Sequence, residues 1–266
     1  MEEHVPSPSP ALLRRSPFDV RDWRYAERCG RLLAATPPRE LDYRSEMREA
    51  RNQGARGTCA SFAAAAMKEW QELRDVGFKS YMSPEFVYDN RENEAAAGMY
   101  PRDVMRILQT LGACPEGVCP YSDVDRRRAD VPQLAYEIAT KFTIASYAQV
   151  TSVDELKLAL ANSGPCLMAF PCFNGTTSFW KPRSAAEAQG GHAVLCVGYT
   201  ADAFVLRNSW GAAWGDKGHA YYPFAEWGAH WEAWSAVDAK TDPGALPPAP
   251  APAPAPPGRA RCCGCI

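Results

Sequence analysis

The sequence predicts an α+β fold of two lobes, helical in its first half and sheet-rich in its second, with a cleft between them as the natural place for a ligand. Up to about residue 140, apolar residues recur at i, i+3 and i+4, the spacing of helices that bury one face. Beyond it they gather in short alternating or continuous runs cut by Gly, Pro and Asp, the pattern of strands and turns. Composition sets the limits. A chain of 266 residues with 46% hydrophobic content and eight Trp can build a substantial core, whereas Pro243 to Pro257 is almost pure Pro and Ala and forms an extended stalk instead. The globular domain is therefore placed at residues 38–239, between a leader of residues 1–37 and a tail of residues 240–266.

In the leader, SPFDVRDWRYA (Ser16 to Ala26) alternates charge with Phe18, Trp23 and Tyr25. That pattern suits a segment lying across a folded surface, where its rings leave water. Asn52 to Thr58 holds two glycines and no periodicity, so it reads as a loop. The loop feeds a helix from Cys59 to Arg74, whose Phe62, Ala63, Ala66, Met67, Trp70 and Leu73 share a face. Further helices are expected at Pro84 to Asn93, Pro101 to Leu111 and Val153 to Ala161, the last opened by a capping-box pattern of Ser152 and Glu155. Strands are expected at Phe142 to Tyr147, Cys166 to Phe170, His192 to Tyr199, Phe204 to Asn208 and Ala220 to Pro223.

A formal charge of −2 offers nothing to nucleic acid or to an anionic membrane. The one basic run, Arg126 to Arg128, lies between Asp125 and Asp130 and reads as a solvated loop. The N-terminus opens on two acids and three prolines without an apolar signal core, and no run of 18 apolar residues exists to span a membrane. A cytoplasmic location follows as the expectation, with signal-independent export or a lipid-anchored tail as the other routes. Three of the ten cysteines (Cys262, Cys263 and Cys265) crowd the last five residues, where lipidation would be the one means of reaching a membrane. The other seven are scattered and read as free thiols.

Three distant segments carry the chemistry. In RNQGARGTCASF, Gln53 precedes Cys59, which stands at a helix start where unpaired amides and the helix dipole favour a thiolate. In GGHAVLCVGY, Gly190 and Gly191 allow close backbone approach ahead of His192, an imidazole able to exchange a proton with a nearby thiol. In VLRNSWGAAWG, Asn208 ends a strand and offers a carboxamide to fix the imidazole's tautomer, with Trp210 placed to shield that bond from water. Each segment alone has an ordinary packing explanation; together they form a nucleophile, a base and an orienting group.

These motifs resemble those of the papain-like cysteine peptidases over roughly residues 38–238. Gln53 stands six positions before Cys59, His192 133 positions after it, and Asn208 16 positions after the histidine, within an N-S-W-G-x-x-W-G run. LDYR, SPEFVY and GACPEGVCPY extend the likeness. The resemblance implies a papain-like two-lobe fold with an N-terminal helical lobe and a C-terminal antiparallel β-barrel-like lobe. It implies cysteine-type endopeptidase activity through a Cys59-His192-Asn208 site and a thioester, with Gln53 in the oxyanion hole and Trp210 and Gly191 in support. It implies a protein or peptide substrate, a monomer, and no cofactor or metal. Two other uses of the fold stay open, a catalytically inactive binding module and a thiol-dependent deamidase or acyltransferase. The sequence departs from secreted members of the family at Arg56, where they carry a disulfide cysteine, and at Thr58 and Ala60, which replace Ser and Trp. That implies a bacterial-type branch lacking the common active-site disulfide. The leader is also shorter than the family's usual inhibitory prosegment.

Overall fold

The computed structural model describes residues 12–28, 36–184 and 190–240. The Pro/Ala stalk and the terminal cysteines expected from the sequence lie outside the described residues. Helices occupy Tyr25–Arg28 (α1), Cys59–Val76 (α2), Pro84–Asp89 (α3), Pro101–Thr110 (α4), Gln133–Ala139 (α5) and Val153–Ser163 (α6). Strands occupy Leu41–Asp42 (β1), Ile144–Val150 (β2), Cys166–Cys172 (β3), Gly190–Tyr199 (β4), Ala203–Arg207 (β5), His219–Pro223 (β6) and Glu232–Asp238 (β7).

Local chemistry sets the helix ends. Pro84 and Pro101 open α3 and α4, where a missing amide hydrogen costs nothing. Ser83 Oγ caps α3 by accepting from the Phe86 amide at 3.0 Å. Ser152 caps α6 through the Glu155 amide, while the Glu155 carboxylate reaches back to Thr151, one residue earlier than a capping box requires. Helix α2 stops at Gly77, whose φ of 68° only glycine adopts cheaply, with the Phe78 amide bonding back to Glu72. Helix α3 is shorter than expected because the Asn90 side chain bonds back to the Phe86 carbonyl and Arg128 takes the Asn90 and Arg91 carbonyls.

The strands form one antiparallel sheet in the order β2-β7-β3-β4-β5-β6, with β1 paired to the far end of β4. The barrel-like lobe is thus an open sheet, since β2 and β6 are not joined. In β3, Leu167 and Ala169 face the core built on α2 to α5, whereas Cys166, Met168 and Phe170 face a second core with α6, Phe179 and Trp180. Strand β3 is buried on both faces and reads as an unbroken apolar run.

Helix α2 lies at the junction. Its first fourteen residues are all buried, and the alanines from Ala63 to Ala66 let the sheet and α3 approach closely. Burying it fully also traps Lys68, which is neutralised by Glu72 at 2.7 Å and Asp238 at 2.5 Å.

The leader lies across this junction. Leu12 bridges to Gly191 and Gly57 packs against its side chain, while the Leu13 amide donates to the Gly191 carbonyl and the Arg14 amide to that of Met99, both at 3.1 Å. The chain then anchors its Ser16 amide on Glu232 at 2.8 Å and its Asp22 carboxylate on Arg102 at 2.5 Å, and buries Tyr25 in the second core. The expected rings only partly explain this: Tyr25 is buried, but Phe18 is 87% exposed and Trp23 half-exposed. The grip comes from Leu13, backbone amides and two carboxylates.

Candidate active site

The site assembles where the start of α2 meets the head of β4. Thr58 precedes α2, and the backbone amides of Cys59 and Ala60 at the helix start act to lower the thiol's pKa. The amide of Ala193 donates to the Cys59 sulfur at 3.4 Å across the lobe boundary. The residue before Ala193 is His192, so the contact brings the backbone that carries the imidazole up to the thiol. His192 Nε2 meets Asn208 Oδ1 at 2.7 Å. Because Oδ1 only accepts, Nε2 carries the hydrogen, and Nδ1 remains as the ring nitrogen available for proton transfer. Asn208 Oδ1 also accepts from the Ser209 amide at 2.8 Å, which fixes the carboxamide's orientation.

Trp210 stacks on the His192 ring, with centroids 4.5 Å apart and planes 29° apart, and covers the bond to Asn208. Phe179 meets the imidazole edge-on at 5.3 Å, and Trp214 braces Trp210 at 5.3 Å. Rings of this kind exclude water from a hydrogen bond and strengthen it.

Gln53 is buried beside the site. Its Nε2 donates to the Arg56 carbonyl at 2.8 Å and its Oε1 accepts from Ser209 Oγ at 2.6 Å, so one amide hydrogen is left uncommitted. The Gln53 amide donates to the Ser209 carbonyl at 2.9 Å, which ties the Gln53 loop to the Asn208 segment. Gly191 holds the leader: a Cβ here would collide with the Leu13 carbonyl and the Trp231 ring. Gly98 faces it from the helical lobe, where a Cβ would meet the Leu12 carbonyl.

Arg56, the position of the absent disulfide, is a buried ionic staple. Its guanidinium reaches Glu85 of α3 at 2.7 Å and Asp125 at 3.0 Å, and also the Ser122 carbonyl, binding the loop before Cys59 to the helical lobe. Thr58 Oγ1 meets the Tyr121 hydroxyl at 2.8 Å, in a setting that a serine would fill without the methyl. The sequence marks Arg56 only as a departure; its role depends on Glu85, 29 residues away.

Burial dominates the electrostatics. It pushes the Cys59 thiol up to about 11 despite the Ala193 amide, and it pulls His192 down to about 4 despite Asn208. With both groups buried, thiol and imidazole are therefore neutral around pH 7. Among the described residues, no cluster of His, Cys, Asp and Glu is arranged to hold a metal.

The arrangement sets a thiol at a helix start close to the head of a strand that carries an imidazole. The family model for papain family cysteine proteases matches residues 37–226, and the chain belongs to that family. Cysteine proteinase 3 of Entamoeba histolytica is 26% identical over 196 residues, covering 68% of this chain and 61% of the relative. Cathepsin K of Mus musculus is 27% identical over 199 residues, covering 69% and 59%. The chain thus spans about three fifths of the length of these curated relatives. Among solved structures, xylellain, a cysteine protease from Xylella fastidiosa, superposes with a TM-score of 0.73 at 25% identity, covering 88% of this chain and 98% of that one.

Proposed function

We propose that the chain is a cysteine endopeptidase, with Cys59 as nucleophile, His192 as acid and base and Asn208 as orienting residue, held latent by its own leader. The observation that carries the reading is the convergence of the Cys59 sulfur on the Ala193 amide, next to a His192 ring already fixed by Asn208. Once the leader leaves the cleft, water and substrate reach the pair, and a proton passes from Sγ to Nδ1. The thiolate attacks a peptide carbonyl. Negative charge develops on the carbonyl oxygen, where the free Gln53 amide hydrogen and the Cys59 amide hold it, each such donor being worth about 3–4 kcal/mol. Collapse breaks the C–N bond as His192 protonates the departing amine, leaving a thioester. A water then gives its proton to His192, attacks the thioester and releases the acid, and the sulfur recovers its proton.

The substrate class is an extended peptide or protein segment. Leader backbone already occupies the groove between Gly98 and Gly191, with hydrogen bonds of the kind a substrate main chain makes. We further assign the chain as a cytoplasmic monomer whose membrane contact, if any, comes through lipidation of Cys262, Cys263 or Cys265; the intact mass of the natural protein tests that assignment. Activity is tested with a peptide library read by mass spectrometry and with an epoxide thiol probe. Leu13→Asp, which removes the buried anchor of the leader, should give internally cleaved peptides and label on Cys59, and the same variant with Cys59→Ala should give neither. Deamidated or transferred products without cleavage, or equal turnover by Cys59→Ala, would overturn the assignment.

A further inference from the structure

Two thiols outside the mechanism are placed for chemistry of their own. Cys114 and Cys119 flank a four-residue turn, Pro115 to Val118, closed by the Val118 amide donating to the Pro115 carbonyl at 2.9 Å. Both flanks are pinned to one residue. The Ser83 amide donates to the Cys114 carbonyl at 2.8 Å, and Ser83 Oγ donates to the Cys119 carbonyl at 2.5 Å. The closed turn and the shared hold on Ser83 bring the two residues back to one place in the fold, and a disulfide requires Cα atoms about 4.4–6.8 Å apart. Here each thiol is the largest influence on the other's titration, raising Cys114 and lowering Cys119, and both side chains are fully buried.

The segment they bracket supports the loop behind the nucleophile. Glu116 Oε1 accepts from Arg51 at 2.8 Å and from the Tyr121 amide at 2.9 Å. The Tyr121 hydroxyl in turn reaches the Gln53 carbonyl at 2.7 Å and Thr58 Oγ1 at 2.8 Å. The two cysteines thus flank the base of a bracket that touches Arg51, Gln53 and Thr58, the residues leading into Cys59.

We propose that Cys114 and Cys119 form a reversible disulfide site, oxidised by a peroxide and reduced by a small dithiol, whose state sets the rigidity of the loop carrying Gln53 and Thr58. The Cys119 sulfur attacks one oxygen of hydrogen peroxide, the O–O bond breaks, and water leaves behind a sulfenic acid. The Cys114 sulfur then attacks that sulfur; the S–S bond forms, the S–O bond breaks, and the oxygen departs as a second water with the Cys114 proton. In sum, two thiols and one peroxide become one disulfide and two waters, and a dithiol reverses the change by being oxidised itself. The order follows from the interaction of the two thiols: Cys114 holds the Cys119 thiol below its usual range, while Cys119 and burial push Cys114 up. Peroxide is close to water in size, and the turn between the two cysteines comes to the surface at the exposed Gly117.

The test uses the full chain as Cys59→Ala, or Cys59→Ser should the alanine variant misfold, so that the catalytic thiol cannot react and the outcome is independent of peptidase activity. After peroxide treatment and alkylation, trypsin releases Ile107 to Arg126, a peptide holding these two cysteines and no others. The expected result is a peptide lighter by two hydrogens, carrying no alkyl group, that returns to the dialkylated form after dithiol treatment. Its formation should raise Tm by roughly 4–8 °C, the entropic worth of closing a loop of about six residues in a domain of this size. The further change Cys119→Ser should abolish both effects. Two alkylated cysteines after peroxide, oxidation to sulfinic or sulfonic acid, or a disulfide that leaves Tm unmoved would each overturn the proposal.

Discussion

Cys59, His192 and Asn208 could be singled out as candidates because each is marked by its immediate neighbours: a helix start, a glycine pair, and a Trp/Gly run. Their bonds could not be. That Ser209 ties Asn208 to Gln53 from both sides, through its amide on Oδ1 and its hydroxyl on Oε1, depends on a loop closure that no local pattern encodes. Gln53 is consequently held on three sides with one hydrogen to spare, the geometry of a preorganised donor. Replacing it by Ala should lower kcat by roughly 10²–10³-fold with KM little changed, since the lost contact is made only to the transition-state oxyanion. Steady-state kinetics on a cleaved peptide check this. An equal loss through KM alone would place Gln53 in ground-state binding instead.

At the scale of elements, α2, α4 and α6 followed from their apolar spacing to within two residues at either end, whereas β7 was not foreseen. The reason is physical. EAWSAVD has too few apolar residues to stand out as a strand, yet Glu232–Asp238 is an inner strand held between β2 and β3. What keeps its carboxylate buried is Trp234 Nε1 on Oε2 at 2.7 Å and the leader's Ser16 amide on Oε1 at 2.8 Å, the second being a contact from 216 residues away. Arg56 teaches the same lesson. A missing cysteine announces a lost disulfide, but not the ion pair that replaces it. Arg56→Ala would leave Glu85, whose side chain has no solvent exposure, without its cation. Breaking such a pair costs about 3–5 kcal/mol, so a corresponding loss of unfolding free energy in urea is the expected outcome. A change below about 1 kcal/mol would mean the staple is replaceable by water.

At the scale of the molecule, titration sets the working range. Burial, with Glu85 nearby, raises Asp89 to about 7, and burial raises Glu69 to about 7 against the pull of the Met82 amide and nearby arginines. For a carboxylate whose folded pKa is raised, the stabilising neutral form is fully present below the unfolded value of about 4 and is lost as pH climbs through 7. Asp89 has no hydrogen-bond partner on either oxygen. Asp89→Asn should therefore stabilise the protein at pH 8 more than at pH 5, as followed by Tm. Two site residues add linkages to folding. Burial depresses His192 from 6.5 to about 4, so its neutral form favours the fold fully above 6.5, and that contribution is lost as pH falls toward 4. Burial raises Cys59 from 9.0 to about 11, so its contribution is full below 9 and is lost as pH climbs toward 11.

The most direct measurement is the rate of Cys59 alkylation by iodoacetamide against pH, in the full chain, in Leu13→Asp and in Leu13→Asp with His192→Ala. An unpaired carboxylate has no place among the buried neighbours of Leu13, so the first variant releases the strap. Leu13→Asp should react at least about tenfold faster than the native chain at pH 6, its thiolate being formed by the imidazole. Adding His192→Ala should move the profile back to an ordinary thiol near 9. An alkylation profile indifferent to His192 would contradict the account.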